Sequence, residues 1–219
     1  MTVPVPRLTT ERRLLREHPL VIACDEVGRG AVAGPVAVGA AAVDVRAVRR
    51  RIPPGLRDSK LVPAGRRADV AERTRDWVTA ADIGWASAAE IDEVGIMRAL
   101  GLAALRAVEG LRGVGIDLDE AVILLDGNID YITPVGGRPL TVVPIVKADR
   151  DCASAAAASV VAKVARDALM ARLHEESPAY QWVRNKGYAS AEHRHAIREF
   201  GLTRHHRASW AIADAPTLF

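Results

Sequence analysis

The chain has 219 residues, 49% hydrophobic and 26% charged, with a net charge of +3. That composition excludes overall disorder, because enough apolar surface is available to offset chain entropy, and no run of about 18 uncharged apolar residues exists to span a membrane. Two cysteines, Cys24 and Cys152, exclude a disulfide scaffold and a cysteine-rich zinc domain. The first twenty residues hold no apolar stretch of signal-peptide length, so a cytoplasmic protein is expected. With no amphipathic segment left over for self-association, so is a monomer.

In chain order, residues 10–17 read as a short basic helix. Residues 20–24 form an apolar run ended by Asp25-Glu26, followed by Gly28-Arg29-Gly30 and a second apolar run, 33–43, with Pro35. Two strands joined by a glycine-bearing turn fit this best. Residues 46–54 are basic and proline-containing, hence a loop or a broken helix. Residues 63–75 have helical character with Pro63 in the first turn, and 77–85 read as a strand.

Ser87 and Glu90 have capping-box spacing and open a helix; 96–111 reads as another. Residues 121–125 and 140–146 read as strands ending at Asp126-Gly127 and at Lys147-Ala148-Asp149. A long helix is expected over 153–173 and a shorter one over 191–200. The pattern predicts a mixed α/β sheet. The expected division is an N-terminal helical segment (1–18), a core (19–176) and a C-terminal helical extension (177–219).

Charge is distributed unevenly. Ten basic residues fall between Arg46 and Arg75 and six between Trp182 and Trp210, whereas ten acids lie between Asp82 and Asp130. Basic surfaces kept apart from an acidic region suit a polyanionic partner; solvated helix faces give the same pattern. Only four of the thirty basic residues are lysines, Lys60, Lys147, Lys163 and Lys186. Under so strong a preference for arginine, they mark positions where a compact, rotatable ammonium is useful.

Asp25-Glu26, Asp126 and Asp149 each follow an expected strand. Carboxylates at neighbouring strand ends can converge on one rim of a sheet, and, packed together, they repel unless a cation neutralises them. An all-oxygen set calls for a hard ion, Mg²⁺ or Mn²⁺. Alternatives stay open for each: Asp126-Gly127 as a turn, Asp149 as a first-turn helix acid, and Asp25 and Glu26 facing opposite ways on one strand. The glycine loop is not a dinucleotide fingerprint, since a strand rather than a helix follows it. Its bare backbone N–H groups suit the approach of a polyanion.

Taken together, Asp25-Glu26-Val27-Gly28-Arg29-Gly30, Asp58-Ser59-Lys60, Leu125-Asp126-Gly127 and Lys147-Ala148-Asp149 resemble the bacterial type 2 ribonuclease H family, ribonuclease HII. Ala156-Ala157-Ala158-Ser159 with Ala162-Lys163-Val164-Ala165-Arg166-Asp167, then Asn185-Lys186-Gly187-Tyr188 and His206-Arg207-Ala208-Ser209-Trp210, continue the match in order. Leu61 departs from it, standing where many members carry a second lysine.

The resemblance implies an RNase H-like mixed five-stranded sheet flanked by helices, with a C-terminal helical extension. It implies metal-dependent endonucleolytic cleavage of RNA in RNA–DNA hybrids, and incision 5′ to a ribonucleotide embedded in duplex DNA. The ends would be 3′-hydroxyl and 5′-phosphate, as ribonucleotide repair and primer removal require. Asp25, Glu26, Asp126 and Asp149 would be catalytic and hold Mn²⁺ or Mg²⁺. Gly28, Arg29 and Gly30 would read the 2′-hydroxyl, Tyr188 would stack at the following sugar, and Lys60 and Lys186 would hold phosphates. Two rivals remain at this stage: a binding module without turnover, and a metal nuclease restricted to long hybrids. His193 and His195 are not expected to form a metal pair, and His205-His206 reads as a surface or phosphate-facing pair.

Overall fold

The computed structural model describes residues 5–136 and 140–210. Five strands, β1 (Val21–Val27), β2 (Val36–Val43), β3 (Ala80–Ala86), β4 (Val122–Asp126) and β5 (Thr141–Ile145), form one sheet in the order β3-β2-β1-β4-β5. The β1–β2 and β2–β3 pairs are antiparallel, and the β1–β4 and β4–β5 pairs are parallel. This is the mixed sheet that the sequence predicts.

Alternation along β1 decides which side each residue serves. Val21 and Ala23 face a layer containing the alanine-rich start of α6 (Ala153–Glu176), while Ile22 and Cys24 face α4 (Ile96–Gly113). The alanines of 153–158 are all buried, and their small side chains let α6 lie close to the sheet. At Gly39 of β2 the approach is so tight that a Cβ would collide with the Ala158 carbonyl. Both cysteines are buried and unpaired.

The remaining helices are α1 (Thr9–Leu14), α2 (Arg67–Trp77), α3 (Ala88–Val94), α5 (Ala148–Asp151), α7 (Trp182–Asn185) and α8 (Ala191–Phe200). The capping box at the head of α3 forms as expected: Glu90 N–H donates to Ser87 Oγ and Ser87 N–H to Glu90 Oε2. Among the described residues no helix is long and apolar enough to cross a membrane.

Two boundaries differ from expectation in ways that matter. Strand β1 does not stop before the acids but continues through Asp25 and Glu26 to Val27, because β2 goes on pairing with it there, Asp25 opposite Gly39 and Glu26 opposite Val38. Asp149 does not simply end a strand: Lys147 adopts a left-handed conformation (φ 61°) that turns the chain into α5, with Asp149 in its first turn. Beyond α6 the chain builds a small apolar cluster around Tyr180, Trp182 and Ile197, and that cluster also takes in Val32 and Ala33, just beyond the glycine loop.

Candidate active site

Three elements bring the four acids to one rim. Pairing of β1 with β4 ends at Cys24 opposite Leu125, so Asp25 and Asp126 are the next residues on adjacent parallel strands. The turn at Lys147 then brings Asp149 beside Asp126, its N–H donating to Asp126 Oδ1 at 3.2 Å. Glu26 alternates away from Asp25, but at a half-buried position where Arg29 Nη1 lies 3.5 Å from its Oε1.

The electrostatics are those of like charges sharing a site. Burial, then Glu26 and Asp126, push the Asp25 carboxyl well above the usual carboxylate range, and the Ser159 hydroxyl works against that rise. Asp126 is raised chiefly by burial, with the N–H groups of Asp149 and Ala148 opposing. Burial, then Asp126 and Asp58, raise Asp149, and Lys60 opposes. Lys60 Nζ stands 3.7 Å from Asp149 Oδ2. Its burial would lower its pKa, but Asp58, Asp25, Asp149 and Asp126 together raise it.

Among the described residues no three His, Cys, Asp or Glu side chains close around one point as a finished metal cage does. The donor set nevertheless fits a hard divalent ion. It is made only of carboxylate oxygens, each of the three aspartates is driven toward its neutral form by its surroundings, and an added cation would relieve all three. Mg²⁺ in particular is commonly held by one or two protein carboxylates with phosphate oxygens completing the shell.

Beside the acids lies a cleft of about 380 Å³. Asp25 and Glu26 line it together with Gly28, Arg29 and Gly30, Lys60 and Tyr188. Gly30 faces Tyr188 directly, since a Cβ on Gly30 would sit 4.0 Å from the tyrosine ring. The same cleft is lined by Ser59, Ser159 and Lys163, to which the sequence pattern gives no role. Ser159 Oγ donates to Ser59 Oγ at 2.9 Å, and Lys163 Nζ donates to Asp167 at 2.6 Å. Lys163 carried a signal in the scarcity of lysine; the two serines carried none beyond their place in the matched blocks.

Lys186 is not brought into this lining. Its Nζ donates to the Val183 carbonyl at 2.8 Å, and its backbone is left-handed (φ 53°). His206 corrects the expectation of a surface pair, being 3% exposed. The Thr203 N–H donates to its Nδ1, which leaves Nε2 to donate to His193 Nε2 at 3.1 Å. His193 Nε2 also accepts from Trp182 Nε1, and its Nδ1 donates to the Tyr188 carbonyl at 2.8 Å. Aromatic neighbours gathered from three segments made this burial invisible to local pattern. His195, by contrast, is exposed, so no His193–His195 pair forms.

The chain is similar to known proteins along nearly its whole length. The family model described as Ribonuclease HII matches residues 22–213. A ribonuclease HII of Streptomyces griseus is 46% identical over 215 residues, covering 96% of this chain and 86% of that protein. Among solved structures, the ribonuclease H2 of Pyrococcus horikoshii OT3 superposes with a TM-score of 0.68 at 26% identity, over 87% of this chain and 93% of that one. Bst-RNase HIII in complex with Mn²⁺ shares the fold with a TM-score of 0.73 at 19% identity, over 94% of this chain and 71% of that one.

Proposed function

The chain belongs to the ribonuclease HII family, and on that premise we propose that it cuts RNA in RNA–DNA hybrids and incises duplex DNA 5′ to an embedded ribonucleotide. The products would carry 3′-hydroxyl and 5′-phosphate ends, as ribonucleotide excision and primer removal in the cytoplasm require. One observation carries the reading furthest: Asp25 and Glu26, the two acids of the rim that line the cleft, share it with a loop that offers bare main chain. The first suits phosphodiester hydrolysis, and the second suits recognition of a sugar hydroxyl, which both donates and accepts.

Asp25, Glu26, Asp126 and Asp149 would hold Mg²⁺ or Mn²⁺. A divalent ion bound there supplies Lewis-acid stabilisation of charge building on the phosphate and acidifies water. The chain's own groups do the rest. Lys60, beside Asp149, holds a phosphate that the carboxylates alone would repel. The Gly28-Arg29-Gly30 main chain meets the 2′-hydroxyl of the ribonucleotide. Tyr188, 42% exposed and facing Gly30, offers its ring to the following deoxyribose. Lys186 contributes to phosphate binding once its ammonium leaves the Val183 carbonyl. The protein would act on hybrid and on ribonucleotide-bearing duplex as a monomer.

An end-labelled DNA duplex carrying one ribonucleotide tests this. We expect a single cut 5′ to the ribonucleotide with Mg²⁺ or Mn²⁺, none with chelator and none on all-DNA duplex. Cleavage confined to long hybrids would remove the junction assignment, and tight binding with no cleavage of either substrate would make the protein a binding module.

A further inference from the structure

Two buried arginines sit behind the glycine loop, and neither makes an ion pair among the described residues. Arg166 on α6 and Arg207 beyond α8 are both 0% exposed. Their donors go to main-chain carbonyls. Arg207 donates to the carbonyls of Gly28 (2.7 Å), Arg29 (2.8 Å) and Gly34 (3.1 and 3.2 Å). Arg166 donates to those of Pro35 (2.9 Å), Lys186 (2.9 Å) and Ala33 (3.3 Å). Burial, and then Arg166, pull Arg207 down to about 10, so it stays a cation at neutral pH.

A buried charge without a counter-ion is costly to desolvate. What arginine adds is a planar fork of five donors that can fix several carbonyls at once. That fixing has a geometric consequence. Every peptide among the described residues is trans, and in a planar trans peptide the C=O of one residue and the N–H of the next point in opposite directions. With the Gly28 and Arg29 carbonyls turned inward onto Arg207, the N–H groups of Arg29 and Gly30 are turned outward. Both residues are exposed and line the cleft, and among the described residues neither N–H has a protein acceptor.

Arg166 supports the same surface from beneath. Its guanidinium lies 5.9 Å from the Tyr188 ring centroid, and it fills the space a Cβ on Gly28 would need. We propose that Arg207 and Arg166 are positioning residues that aim the Arg29 and Gly30 N–H groups into the cleft and thereby set the protein's preference for a ribonucleotide over a deoxyribonucleotide. This rests on the reading that the loop meets the 2′-hydroxyl. The arginines touch no substrate; they act through the peptide planes they hold.

The test is equilibrium binding in chelator to two duplexes that differ by one 2′-hydroxyl, for the wild type and Arg207→Lys. Lysine keeps the charge but cannot hold three carbonyls in one plane. We expect the ribonucleotide preference to fall about tenfold, which is the scale of one or two polar groups left unaimed. Affinity for the all-DNA duplex should stay within about twofold. Parallel weakening on both duplexes, or an unchanged preference, would overturn the proposal. A wild type without any preference would instead remove the underlying reading of the loop.

Should Arg207→Lys not melt cooperatively, Trp210→Leu carries the test. Trp210 holds the Arg207 guanidinium 4.8 Å from its ring and is only partly buried. Its loss should lower the preference by about two- to threefold, the scale of one cation–π contact; a preference equal to the wild type would count against the arginines.

Discussion

Two clusters of like charge near the cleft handle burial in opposite ways. On the acid rim, Asp25, Asp126 and Asp149 are raised by burial and by one another, with few donors to offset it. Behind the loop, Arg166 and Arg207 are at least as buried, yet between them they donate to six different carbonyls. The first cluster is left under-compensated, which suits the proposed uptake of a cation and a phosphate. The second is saturated within the protein, as a support that must not move has to be. Functional groups and supporting groups thus differ here in satisfaction rather than in burial.

The largest expected effect separates chemistry from stability on the rim. Asp25→Asn should lower cleavage of either substrate by about 1,000-fold or more, the scale of losing a residue that organises the catalytic site. The same change should raise the melting temperature of the chelator-treated protein at pH 7. Because folding raises the Asp25 pKa, its ionised form opposes folding, and a neutral isostere relieves that strain. A lower melting temperature would show that Asp25 is compensated in the folded protein after all.

The loop support should respond in the opposite sense. Arg207→Met leaves the Gly28, Arg29 and Gly34 carbonyls short of donors, and we expect a loss of about 3 kcal/mol or more in urea unfolding. A change within experimental error would mean that the loop keeps its shape without the guanidinium.

A pH titration of stability sharpens the contrast. His206 is pushed down to about 4 by burial and then by His193, whereas the unfolded residue titrates near 6.5. Between those values the unfolded chain binds the extra proton, so this contribution is intact at neutral pH and is lost as pH falls, on the order of 3 kcal/mol at the acid end. The rim acids act in the other direction, since their raised pKa values favour the folded state as pH falls. Asp25→Asn should therefore steepen the acid loss, and His206→Asn should flatten it. Chemical unfolding from pH 7 to pH 4.5 measures both slopes.

The smallest effect concerns Tyr188, whose ring rests over Arg166. Tyr188→Ala should reduce cleavage at a single embedded ribonucleotide by about tenfold, the scale of one lost stacking contact. Cleavage within a long hybrid should fall less, as kcat/KM on the two substrates would show. Equal losses would place Tyr188 outside junction recognition.

Much of this was legible in the sequence. The apolar runs that became β1, β2, β4 and β5 are continuous and bounded by turn residues, and the 191–200 helix opens at Ser190, which caps His193 N–H. The acids were legible as a set because each closes or follows an apolar run. Their detailed placement was not: whether β1 stops at Asp25 depends on where β2 ceases to pair, which is a tertiary fact. The left-handed turn at Lys147 is equally hidden, since lysine carries no signal for a positive φ. Arg166 and Arg207 read as two more arginines in an arginine-rich chain, and only the carbonyls gathered from distant segments reveal what they do. His206 was misread for the same reason, its burial coming from Tyr180, Trp182 and His193.

In the proposed function, cutting and ribonucleotide recognition reside in separate clusters. Asp126→Asn, bound to a duplex with one ribonucleotide and to the same duplex made wholly of DNA, tests it most directly. Cleavage should be abolished while the preference for the ribonucleotide duplex stays within about twofold of the wild type, as for independent sites. Loss of that preference together with cleavage, or near-normal turnover by the variant, would contradict it.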